Sequence, residues 1–191
     1  MIEIHLEGER SSPALASSAH PQTLVVGLGN PLLGDDGVGW RVAERLQASL
    51  AARQPALTGA MDPLSVEVDC LALGGLSLME RLIGYHRAII IDVIATHKNP
   101  PGTVTCISLE DLPGLPAGHT GSAHDTSLTT AIEVGRLMGA ELPGEIMLVA
   151  VEAETCYDVS DKLTPLVEAA VPVAEQAVWR ILQARSCQSL S

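Results

Sequence analysis

Two apolar patterns alternate along this chain: short unbroken runs, and longer stretches whose apolar positions recur at helical spacing. The run Leu24–Gly27 predicts a short buried strand. From Gly37 to Arg53, Val38, Val42, Leu46 and Leu50 fall about one turn apart and predict a helix. Ser65–Leu73 (SVEVDCLAL) alternates apolar and polar positions, as an edge or half-covered strand does. Leu76–Gly84 predicts a short amphipathic helix stopped by glycine, and Ala88–Ile94 (AIIIDVI) a buried strand interrupted by one aspartate. Gly102–Leu109 is a further strand. Thr126–Gly139 is a helix with Leu128, Ile132 and Gly135 on one face, and Glu145–Val151 is another apolar strand. A last helix starts near Thr164, a suitable N-cap, with Pro165 at its first position. Its stripe runs through Val167, Val171, Ala174, Val178 and Ile181, and Pro172 should kink or split it.

Strands alternating with helices predict a single-domain three-layer α/β sandwich. The expected sheet is five-stranded, twisted and mostly parallel, with helices on both faces. Residues 23–185 would form this domain, residues 1–22 a short N-terminal extension and residues 186–191 a tail. The first 22 residues carry no basic start and no apolar core of a signal peptide. No apolar run approaches the length of a membrane span.

Composition sharpens this picture in three ways. Hydrophobic residues make up 47% of the chain but aromatics only 2%, so the core must be aliphatic. The formal charge of −12 argues against a nucleic-acid partner, which needs a basic surface. Cys70, Cys106, Cys156 and Cys187 are widely spaced with no C-x-x-C pair, which reads as buried free thiols in a cytoplasmic protein.

In open parallel sheets, chemistry gathers beyond the carboxyl ends of the strands, near the point where strand order reverses. Three polar features fall there. The first is Asn30–Asp36, directly after the first strand. The second is Asp92, a carboxylate inside an apolar run and therefore costly unless paired or metal-bound. The third is the loop AGHTGSAHDTS, with His119 and His124 ahead of a helix. Asp35 and Asp36 could favour a helix start, but that accounts for one acid better than for two adjacent ones. G-L-G-N lacks the third glycine of a dinucleotide fingerprint, and its two carboxylates would repel phosphate. Two carboxylates and an imidazole at one sheet edge make a mixed N/O set suited to a borderline divalent metal. There is no G-x-S-x-G elbow, and Cys156 has no local partner that would mark it as a nucleophile.

GLGNPLLGDDGVG, IIIDVI and SAHDTSL, in this order and spacing, resemble the hydrogenase maturation endopeptidase family over about Thr23 to Gln183. The block G-x-G-N-x-L-x-x-D-[DE]-x-x-G is the specific part. The resemblance implies an endopeptidase that trims the C-terminal extension from the large-subunit precursor of a nickel–iron hydrogenase. It implies metal recognition through Asp36, Asp92 and His124, the nickel being carried by the substrate and no organic cofactor being needed. Asp35 would then be a supporting residue, and Asp36 or Asp92 would orient or deprotonate the attacking water. The family's substrate-contacting turn matches Gly74 and Gly75, although Leu73 and Leu76 stand where relatives carry an acid or Asn and a Thr. Two other readings stand beside this one. The first is a nickel-sensing factor that does not cut. The second is an esterase like the peptidyl-tRNA hydrolases, which LVVGLGNP also resembles, but the T-R-H-N segment and basic face of that family are missing.

Overall fold

The structure, a computed structural model, describes residues 23–53, 65–72, 74–114, 125–154 and 159–184. Five strands form one sheet: β1 (Thr23–Leu28), β2 (Val66–Leu71), β3 (Arg87–Ile94), β4 (Val104–Ser108) and β5 (Glu145–Glu152). Four helices accompany them: α1 (Val38–Arg53), α2 (Gly75–Leu82), α3 (Asp125–Leu137) and α4 (Pro165–Ala184). The strand order is β2-β1-β3-β5-β4. All pairings are parallel except β4 with β5. This is the expected α/β architecture, with an antiparallel strand on one edge.

Alternation along the strands builds two aliphatic cores, one on each face. Val25, Ile89, Ile91, Val93, Val149 and Val151 pack with Val38, Val42 and Leu46 of α1 and with Val167, Val171 and Val178 of α4. Leu24, Val26, Leu28, Ile90 and Leu148 face the other way, against Leu78 and Leu82 of α2 and Leu128 and Ile132 of α3. Each such side chain taken fully from water contributes about 1.5–3 kcal/mol. Burial on both faces explains why β3 reads as an unbroken apolar run. The edge strand β2 has only half-buried residues, which explains its alternating pattern.

The first helix lies unusually close to the sheet. A side chain at Gly39 would run into the backbone carbonyl oxygens of Leu28 and Ile91, on two different strands. Only glycine lets α1 descend onto the seam between β1 and β3. The same packing is seen at Gly27, whose missing Cβ would lie 2.8 Å from that of Ala43.

Two expectations need correction, and a third is met with an addition. Helix α4 runs through Pro172 without being split. Val167, Ala170, Val171, Ala174 and Val178 hold both of its halves on the sheet, which offsets the lost backbone bond. Thr164 stands just before α4, and its carbonyl accepts the N–H of Glu168 at 2.8 Å. Thr164 is thus the N-cap residue, as expected, and its hydroxyl also donates to Asp35. Cys106 is an exposed free thiol rather than a buried one, because β4 is an edge strand; Cys70 is free and half-buried. Cys156 and Cys187 lie outside the described residues, as do the 1–22 and 186–191 segments.

Candidate active site

Strand order reverses between β1 and β3: the chain leaves β1 for β2 on one side and returns to β3 on the other. A crevice beyond the carboxyl ends of these two strands is the expected ligand site. Asp36 follows β1 there, in a 3-10 turn spanning Gly34–Gly37. That turn packs directly against β3, the strand that carries Asp92. The structure therefore brings the turn of Asp36 up to the strand of Asp92.

Local backbone chemistry shapes the turn. Gly29 adopts φ 120°, and any side chain there would collide with the carbonyl oxygen of Asp36. Asn30 N–H donates to Asp36 Oδ2 at 2.6 Å, and Asn30 Oδ1 accepts the N–H of Leu32 at 3.0 Å. The asparagine thus folds the segment back on itself, as asparagine does in turns. The second carboxylate is oriented from within its own strand, as Val93 N–H donates to Asp92 Oδ1 at 2.8 Å. Asp92 is wholly buried and Asp36 is 3% exposed. By strand alternation Asp92 shares a sheet face with Ile90 and Ile94, the face covered by α2 and α3.

The two adjacent aspartates have different partners. Asp35, also buried, accepts from Thr164 twice: the backbone N–H at 2.6 Å on Oδ1 and the hydroxyl at 2.9 Å on Oδ2. It fastens the first βα turn to the start of α4, while Asp36 turns back to Asn30. An isolated bridge between Leu33 and Ser160 supports the same junction, with Gly34 N–H donating to Ser160 O at 2.7 Å.

His124 immediately precedes α3 but lies outside the described residues, as does His119. Among the described residues, no group of three or more His, Cys, Asp or Glu side chains could hold a metal ion. Gly74 and Gly75 do form the turn that opens α2, with Gly74 extended and Gly75 at φ 61°. Leu76, in place of the family's threonine, is largely exposed beside them. Among the described residues, no helix is long and apolar enough to cross a membrane.

One buried carboxylate at the carboxyl edge of the sheet escaped sequence reasoning. Glu152 ends β5 with 1% of its surface exposed, and it accepts from Thr96 and His97 in the loop after β3. The signal that could have found it is its place at the carboxyl end of a central strand, beyond an apolar run like that around Asp92.

A doubly wound α/β domain with buried carboxylates at its switch point is an enzyme architecture suited to acid–base or metal-directed hydrolysis. The family model for hydrogenase maturation proteases (HycI) matches residues 41–181. The chain belongs to the hydrogenase maturation protease family, and as a member of it is a proteolytic enzyme. Asp92 and His124 fall within the matched span, and Asp36 falls just before it. The hydrogenase 2 maturation protease of Escherichia coli K12 is 29% identical over 167 residues, covering 87% of this chain and 94% of its own. The solved structure of the hydrogenase maturating endopeptidase HybD from E. coli aligns with a TM-score of 0.66 at 29% identity, covering 85% of this chain and 93% of that one. A solution structure of an endopeptidase from E. coli aligns at 0.69 with 30% identity and the same coverages.

Proposed function

We propose that this protease removes the C-terminal extension from a nickel-loaded large-subunit precursor of a nickel–iron hydrogenase. It recognises the substrate's nickel through Asp36, Asp92 and His124. The observation that carries this reading is the pair of buried carboxylates at the switch point, in a chain of the maturation protease family. A borderline divalent ion suits two carboxylate oxygens and one imidazole. The nickel belongs to the substrate, so recognising it would let the enzyme check that its substrate has been loaded.

Asp36 or Asp92 then acts as base on the attacking water. As the water oxygen adds to the scissile carbonyl carbon, the carboxylate takes its proton; the C–N bond then breaks and the amine leaves protonated. Positioned proton transfer of this kind contributes roughly 10²–10⁴-fold. Gly74 and Gly75 form the turn nearest in the chain to the exposed Leu76, and this turn contacts the precursor. The substitution of Leu76 for threonine there changes which hydrogenase is accepted. The proposed partner is therefore the precursor itself, in the cytoplasm, where the thiols stay reduced.

The test is a processing assay with the precursor, loaded with nickel or lacking it, read by mass spectrometry of the intact products. Loss of a short C-terminal peptide from the loaded form alone is the expected result. Binding of the loaded form without any cut would make the chain a sensor and refute the endopeptidase reading for this substrate. Equal cleavage of both forms would refute the recognition of nickel.

A further inference from the structure

A buried carboxylate at the end of an apolar strand must find donors, and Glu152 finds them in a single loop. Its Oε1 accepts the backbone N–H groups of Thr96 at 2.6 Å and His97 at 2.8 Å; its Oε2 accepts the Thr96 hydroxyl at 2.7 Å. Its backbone fastens the other arm of the same β3–β4 connection. Glu152 N–H donates to Thr103 O at 2.9 Å, and its carbonyl accepts from Gly102 N–H at 2.7 Å. In register Glu152 stands beside Ile94, two residues beyond the pairing of Asp92 with Ala150.

This anchoring holds one residue in an unfavourable shape. His97 has φ 56°, the only positive φ among the described residues other than glycine. Such a conformation costs a non-glycine residue about 1–3 kcal/mol. A connection that only had to turn would carry glycine, as it does at Gly102 with φ 84°. Here the turn instead presents an exposed imidazole, five residues after Asp92, at the carboxyl edge of β3.

The chemistry of that edge says what an imidazole would add. A carboxylate that serves as a base, the role proposed for Asp36 or Asp92, accepts hydrogen bonds, whereas a peptide substrate also brings carbonyl oxygens that need donors. Building on the function proposed above, we infer that His97 is a substrate-contacting residue. Its ring N–H donates to a backbone carbonyl of the precursor beside the scissile bond. Glu152 is the positioning residue that holds it in place.

Three substitutions at His97 separate contact from shape: His97→Gly accepts the positive φ but has no donor, His97→Ala has neither advantage, and His97→Asn keeps an N–H donor and tolerates the conformation. Each is measured for melting temperature and for kcat and KM on nickel-loaded precursor. The glycine variant should melt no lower than wild type yet lose about tenfold in kcat/KM, mostly through KM, as expected for one lost hydrogen bond. The alanine variant should melt lower and be equally slow, and the asparagine variant should keep most of the rate. Rates that follow melting temperature, with glycine at least as fast as wild type, would overturn the contact. Glu152→Gln should lower kcat/KM in the wild-type background and add little in His97→Gly. Equal losses in both backgrounds would refute the positioning role. If wild type leaves the loaded precursor uncut, the proposed function falls and this contact with it; if wild type cuts and all three variants cut equally well, only the His97 assignment falls.

Discussion

The separate roles of Asp35 and Asp36 can be tested with two single substitutions. Asp35→Ala removes a buried acceptor from the Thr164 N–H at 2.6 Å and its hydroxyl at 2.9 Å. Hydrogen bonds to a charged group are worth about 1.5–3 kcal/mol each. Part of that is offset because a buried carboxylate no longer needs desolvating, which leaves a net loss of about 3 kcal/mol. In a domain of this size each kcal/mol moves Tm by about 2–4 °C, so the melt should fall by roughly 6–12 °C. Asp36→Asn keeps an oxygen for the Asn30 N–H and nearly the same shape, so its melt should stay close to wild type. Its processing rate, however, should drop by about a hundredfold or more if this carboxylate is the base. Thermal melts followed by circular dichroism, and precursor processing measured well below both midpoints, give the two readouts. The reasoning fails if Asp35→Ala melts within about 2 °C of wild type, or if Asp36→Asn processes at the wild-type rate.

Other measurements reach different parts of the fold. Replacing a helical glycine by alanine ordinarily stabilises by about 1 kcal/mol. Gly39→Ala should instead destabilise by about 1–3 kcal/mol, because the new methyl meets the carbonyls of Leu28 and Ile91; a raised denaturation midpoint would contradict the close packing of α1. Burial alone would raise the Glu175 carboxyl, but hydrogen bonds from Ser49, Arg45 and Trp179 and the charge of Arg45 hold it below its ordinary value of 4.5. A depressed carboxyl stabilises the fold above its unfolded value and loses that contribution as pH falls through the folded one. The Tm gap between wild type and Glu175→Gln should therefore be widest above pH 4.5 and close on further acidification; a gap that widens in acid would reverse the assignment. Burial, assisted by Glu44 and Asp69, pushes the Cys70 thiol up to about 11. Cys70 should alkylate far more slowly at neutral pH than in the denatured chain, as peptide mass spectrometry would show; equal rates would disprove its shielding.

Much of this fold is legible along the chain because burial on two faces leaves a plain mark. The run AIIIDVI can only be a covered strand, and Asp92 stands out within it because no other polar residue does. The turn that carries Asp36 was legible for another reason, since glycines and an asparagine around two acids mark a turn; only the family resemblance singled out Asp36 within it. What the sequence could not reveal depends on contacts between distant residues. The partner of Asp35 lies 129 positions away, so nothing local distinguishes it from its neighbour. Glu152 reads as the solvated end of a strand, and only the closing of the β3–β4 connection over it makes it buried. Cys106 looked buried because it falls inside a strand, but its position on the sheet edge decides its exposure.

The tie between Asp35 and Thr164 also bears on how the enzyme is made. The first βα turn emerges early in synthesis, yet the residue that secures it belongs to the start of the last helix. Strand β5, which fills the gap between β3 and β4, is also late. A growing chain therefore has both aspartates in hand long before it can hold them in place. Under the proposed function, proteolytic competence waits until most of the protein has left the ribosome, because a half-finished copy lacks the residue that secures the aspartate turn.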